Sequence, residues 1–222
     1  MLEMKLDERL LQAAIQKLGT LSGQVSTAAA RAINRTLPLA RKRERQAIAA
    51  RYNLKLSEIN RHLVLRRASA RKGKLSGEVA ARGKRVPLIR FKGGTKRPFS
   101  EMRNRPRVGA RAKVLTQGRL KIIPGAFVAR MPSGYVGIYI RAAKGSGYTK
   151  AFMVRGKRNT QHRVVSRQMG RGRVGRLPIV ELTALSVSRM ARKVVPRVSP
   201  ELMRRLNRTF AHEIRFLLRR NS

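Results

Sequence analysis

KIIPGAFVARMPSGYVGIYIRA, residues 121–142, decides the fold class. Its apolar and β-branched runs predict strands over Lys121–Arg130 and Tyr135–Ala142. Met131-Pro132-Ser133-Gly134 between them supplies the turn, because Pro presets φ and Gly accepts conformations closed to other residues. A hairpin therefore sits near the middle of the chain. Further back, Leu75–Ala81 and Val86–Phe91 carry the same short, alternating pattern.

Outward from this centre the period changes to 3.6. Leu6, Leu10, Leu11, Ala14, Ile15 and Leu18 fall on one helical face that Gly19 ends. Val25, Ala29, Ile33 and Leu37 make a second stripe within Ser22–Tyr52, which Pro38 is expected to kink or divide. A short helix follows over 56–63. Ile179–Val195 reads as helix, and a last helix is expected to start at Ser199 as N-cap with Pro200 behind it. In that helix Leu202, Leu206, Phe210, Ile214 and Leu218 recur every four residues, with Arg204, Arg205, Arg208, Arg215 and Arg219 off the stripe. The pattern predicts an α+β fold: N-terminal helices, a small central antiparallel β-sheet, a C-terminal amphipathic helix and long basic loops or arms. By segment, 1–64 is helical, 65–143 is a β-rich core with a basic arm at 92–118, 144–176 is a second basic arm, and 177–222 is helical.

The charge sets the partners. Of 222 residues 53 are Lys or Arg and 10 are Asp or Glu, a formal net charge of +43, while 42% hydrophobic content still permits a core. Between Arg61 and Arg176 the acids are Glu78 and Glu101 alone. So much charge of one sign repels itself and calls for an external polyanion, either a phosphate backbone or an acidic protein surface. Aromatics are 5% of the chain and form no ladder in the basic stretches, so duplex backbone contact fits better than base stacking on single strands. The candidate contacts are Arg155, Lys157, Arg158, Arg163, Arg167, Arg171, Arg173 and Arg176. Leu206, Phe210 and Ile214 are the candidate assembly interface.

Catalysis has little to work with. The chain has no Cys, which excludes disulfides, thiolate metal sites and cysteine nucleophiles. Asp7 is the single Asp, and His62, His162 and His212 lie far apart with no ligand at metal spacing. Gly170–Gly175 matches G-x-G-x-x-G in letters but lacks the strand, helix and acid that a dinucleotide site requires. No enzyme activity, cofactor or metal is expected, and no membrane span, since no apolar run is long enough. ERQAIAARYNLKLSEINRHLV, residues 44–64, offers a helix-turn-helix as an alternative, which would make the chain a DNA-binding regulatory or nucleoid-type protein.

AAARAINRT at 28–36, IPGAFV at 123–128, LPIVELTAL at 177–185 and the terminal FLLRR together resemble the prophage minor tail protein Z family, the tail-completion proteins of lambda-like phages. That resemblance implies a structural virion protein made in the host bacterial cytoplasm. It would act late in tail maturation at the head-proximal neck, where head and tail join. It further implies a homo-oligomeric ring, partners such as the tail terminator, tail tube or connector, and access to the end of the packaged double-stranded DNA.

Overall fold

A computed structural model describes residues 2–18, 22–72, 74–104, 108–141 and 179–221. The chain forms two compact units interleaved in sequence: Met1–Ile48, Ile59–Gly83 and Val187–Ser222 in the first, Ala49–Glu58 and Lys84–Ser186 in the second. Helices at the two ends and antiparallel strands in the middle give the α+β class.

In the first unit β1 (Leu2–Lys5), β3 (Ser76–Ala81) and β2 (Leu63–Arg66) form an antiparallel sheet in the order β1-β3-β2. Leu2 lies opposite Val79 and Met4 opposite Gly77, so one face is apolar. The other bears the cross-strand Arg66–Glu78 ion pair at 3.1 Å. Helix α1 covers Glu8–Leu18 and α2 covers Ser22–Arg51. Ile33 and Leu37 of α2 come so close to the sheet that a Cβ on Gly77 would lie 2.5 Å from Ile33 Cγ2, which is why the smallest residue stands there. A 35-residue helix, Val187–Asn221, lies against β1 and β3; it follows the five-residue α3 (Leu56–Asn60) and is α4.

Both long helices override their prolines. Pro38 does not divide α2, and α4 runs through Pro196 and Pro200, so Ser199 is interior and caps nothing. A proline inside a helix costs about 3 kcal/mol, while each fully buried aliphatic or aromatic side chain contributes about 1.5–3 kcal/mol. Ile33, Leu37 and Ile48 flank Pro38, and Met190, Val194, Leu202 and Leu206 flank the other two, all buried. All three rings are exposed, so water can reach the carbonyls they leave unpaired.

The second unit is built on β7 (Ala126–Arg130), β8 (Val136–Arg141) and β9 (Ile179–Glu181), in that order and antiparallel. The hairpin expected from the sequence is present, with Ala126 opposite Ile140 and Arg130 opposite Val136. Ala110, Ala126, Val128, Ile138, Ile140 and Leu182 form its core. Two smaller pairings complete the unit: β5 (Gly109–Ala112) with β6 (Lys121–Pro124), and β4 (Arg85–Pro87) with β10 (Thr183–Ser186). Gly125, at φ +71°, breaks what reads as one strand over 121–130 into β6 and β7.

Two further expectations fail here. The reading of 179–186 as helix is wrong: the segment supplies β9 and β10, because pairing with β8 and β4 outweighs a local Leu182–Leu185 spacing. Nor is 92–118 an arm without regular structure. It holds a 3-10 turn at Phe99–Glu101 and strand β5, and Asn53 pins it, donating Nδ2–H to the Lys92 carbonyl at 2.7 Å and its backbone N–H to Val114 at 2.9 Å.

Candidate functional site

The eight basic residues that the sequence singles out, Arg155 through Arg176, lie outside the described residues, as does the G-x-G-x-x-G stretch. What the structure does show is a second concentration of arginine, in the first unit, where α2 and α4 run side by side. Arg35 of α2 pairs with Glu213 of α4, and Arg43 pairs with Glu201 at 3.0 Å. Moving up α2 thus means moving down α4, so the helices are antiparallel neighbours. Behind both pairs the apolar stripes are buried, with Ile33 and Leu37 on α2 and Leu202, Leu206 and Phe210 on α4.

Beside that seam lies a cleft of about 560 Å³ lined by Leu39 together with Arg35, Arg205, Arg208 and His212. A smaller hollow of about 320 Å³ continues it past Arg43, Glu201 and Arg204, sharing Leu39, Arg205 and Arg208. The two hydroxyls in the wall, Thr36 and Thr209, each donate to a carbonyl of their own helix, Ala32 and Arg205. The arginines therefore supply most of the cleft's hydrogen-bond donors. Glu213 and Glu201 are already matched by Arg35 and Arg43, while Arg204, Arg205 and Arg208 have no carboxylate partner among the described residues. No Phe, Tyr or Trp lines either hollow.

The three residues expected at an assembly interface serve the chain's own fold. Leu206 and Phe210 are buried and Ile214 is half-buried. The apolar side chains that α4 presents outward are Phe216 and Leu218, 52% and 40% exposed.

The helix-turn-helix over 44–64 is absent. α3 has five residues and gives way to strand β2 at Leu63, so no second helix long enough to enter a groove exists. Asn60, at the end of α3, offers its backbone carbonyl to Arg41 at 3.2 Å.

Other polar groups hold structure. Tyr135 donates to Glu181 at 2.5 Å; burial, and then that bond, raise its pKa. Tyr139 is pushed up to about 12 by burial. Lys96 donates to the Ile89 and Phe91 carbonyls, and burial holds its pKa below the usual lysine value. Glu44, fully buried on α2 with neither oxygen hydrogen-bonded, is raised to about 7 by desolvation. Among the described residues no cluster of His, Asp or Glu could hold a metal ion, and no helix is long and apolar enough to cross a membrane.

The family model described as prophage minor tail protein Z (GPZ) matches residues 9–220. No curated protein and no solved structure matches the chain.

Proposed function

Because the chain belongs to the prophage minor tail protein Z family, a family of structural phage tail proteins, we propose that it acts as a tail-completion or neck component at the head-proximal end of the tail. Membership makes it a virion component with other tail proteins as partners. The finer reading is that it works late in tail maturation and makes the tail competent to join a head. Its neighbours there would be the terminator, tube or connector, with its own copies forming a ring.

The observation that carries this reading is the combination of a family match over nearly the whole chain with a net charge of +43. A head–tail junction offers two sources of neutralising charge, the end of the packaged DNA and acidic neighbouring subunits. The basic arm at 144–176 is proposed to face one of them. Outward-facing Phe216 and Leu218, beside half-buried Ile214, supply apolar surface for self-association.

Labelling the protein in purified particles tests the placement. Signal at the upper end of the tail, and finished tails that fail to join heads when the gene is silenced, are the expected results. Absence of the protein from virions, or normal joining without it, refutes the reading. Neutralising Arg155, Lys157, Arg158, Arg163, Arg171 and Arg173 together tests the arm. Weaker DNA attachment equal across unrelated sequences supports a DNA-facing arm, and failed assembly with unchanged DNA affinity supports an acidic protein neighbour. If both stay normal, the arm has neither role.

A further inference from the structure

We propose that the cleft between α2 and α4 binds the phosphate backbone of double-stranded DNA, with Arg204, Arg205 and Arg208 as the phosphate contacts. These residues are distinct from the 144–176 arm, and the inference stands whether or not that arm touches DNA.

Three observations carry it. The first is charge accounting: among the described lining residues Glu201 is the one acid, and Arg43 already pairs with it, which leaves three guanidinium groups on one helix with no acid to meet them. A guanidinium presents a planar fork of donors that fits phosphate oxygens two at a time. The second is spacing. From Arg204 to Arg208 is four residues, or about 6 Å at ~1.5 Å per residue. A DNA strand carries one phosphate per ~3.4 Å of axis, so roughly two phosphates pass along the same length and the next lies within reach of side chains as long as arginine. The third is what the lining lacks. With Leu39 and two self-bonded threonines in the lining and no Phe, Tyr or Trp, the cleft has no ladder of rings on which successive bases could stack, and so favours backbone contact over sequence reading.

An acidic protein segment is the weaker occupant on these grounds. It would have to bring three carboxylates within about 6 Å of helix axis, each on a rotatable side chain whose freedom is lost on binding. The duplex backbone holds its charges at fixed spacing before it arrives.

The test uses the full chain and duplexes of about 30 base pairs in two unrelated sequences, titrated between roughly 50 and 200 mM salt. Replacing Arg204, Arg205 and Arg208 with Gln should lower the slope of log affinity against log salt by roughly 2.7, about 0.9 for each contact, equally for both sequences. The thermal midpoint should not fall, since all three side chains are exposed. An unchanged slope, or a loss confined to one sequence, overturns the proposal. A second measurement needs no variant: phenylglyoxal modifies exposed arginines, and duplex DNA should protect Arg204, Arg205 and Arg208 of the wild-type chain. Protection by poly-glutamate but not by DNA would make the cleft an acidic-protein site and end the claim. Pairing these with the arm variant separates the two ideas. Loss of slope in the arm variant alone sinks the cleft and leaves the arm, and loss in the cleft variant alone does the reverse.

Discussion

Arg35 and Glu213 fix how α2 and α4 meet, and the pair is lopsided: the arginine side chain is 63% exposed and the glutamate 6%. Removing either partner breaks the same contact but leaves a different remnant. Arg35→Ala strands a carboxylate in the interior, and breaking a buried pair in this way costs about 3–5 kcal/mol when both charges are buried. Here water reaches the arginine side, so the contact is discounted toward surface values and about 2 kcal/mol is expected. Glu213→Gln strands a guanidinium that simply turns to solvent, and Gln keeps the volume, so the loss should stay below about 1 kcal/mol. For a chain of this size each kcal/mol moves the melting midpoint by about 2–4 °C, giving a drop of about 4–8 °C for Arg35→Ala and less than about 4 °C for Glu213→Gln. The double variant should melt above Arg35→Ala alone, because the stranded charge is gone. Circular dichroism melts of the three variants read this directly. Equal losses for the two single variants, or a double variant no better than Arg35→Ala, would refute the idea that burial of Glu213 controls the cost.

Glu44 gives a pH signature: with its folded pKa raised to about 7 from an ordinary 4.5, the folded state binds the extra proton between those values. Stability is therefore greatest below about pH 4.5 for this group and falls, by on the order of 3 kcal/mol, as pH rises toward and through 7. Glu44→Gln should flatten that slope and stabilise the chain at pH 8; an unaltered slope would mean the carboxyl is not the titrating group. Gly109→Ala should destabilise the second unit by at least about 2 kcal/mol, since φ is +143° and the new Cβ would lie 2.1 Å from the Ile123 carbonyl oxygen; a neutral result in urea melts would contradict the β5–β6 register. Phe210→Asp should prevent folding by placing a charge in a buried stripe, whereas Phe216→Glu should leave the melt unchanged and reduce the sedimenting mass of any self-assembled form. Identical behaviour of the two variants would remove the distinction between core and outward faces of α4.

The elements legible in the sequence are those whose signal is local. The β7–β8 hairpin announces itself because its turn chemistry and two-residue alternation occupy one continuous stretch. The apolar stripe of α2 is likewise readable, as is that of α4 through Phe210; beyond it a four-residue step drifts off the buried face of a 3.6-residue helix, so Leu217 is buried and Leu218, which the stripe includes, is exposed. What misled was also local. Pro196, Ser199 and Pro200 carry the usual marks of a helix start, yet packing of Val194, Leu202 and Leu206 carries α4 straight through them. Residues 179–186 hold a helical spacing of leucines, but their partners are β8 and β4, and nothing in the segment itself names those partners. The 92–118 stretch reads as an extended basic arm because its anchor, Asn53, is far upstream. The cleft is the extreme case. Arg204, Arg205 and Arg208 are visible as the polar side of a helix, but Arg35 and Glu213 are 178 residues apart, and only the folded chain brings their helices together.

The placement of the acids explains why the charge must be met from outside. Glu78 ties β2 to β3 through Arg66, Glu58 holds Arg90, Glu101 holds Arg130, and Glu201 and Glu213 join α4 to α2. Asp7 accepts the Arg9 backbone N–H at the start of α1, and Glu181 accepts the Tyr135 hydroxyl. Several of these pairs are exposed and add little stability, so their use is alignment of neighbouring elements. None of these carboxylates is left over to balance the rest of the chain, and even complete pairing of all ten acids would leave 43 cations. Their mutual repulsion is a standing cost of the isolated chain, one that falls when phosphates or carboxylates of a partner enter the clefts and arms. Stability should accordingly rise when the chain binds duplex DNA in low salt, and the gain should shrink as salt replaces the polyanion in screening the charge. A melting midpoint that did not respond to DNA at any salt concentration would mean that the excess charge is tolerated without a polyanion, and the electrostatic case for one would fall.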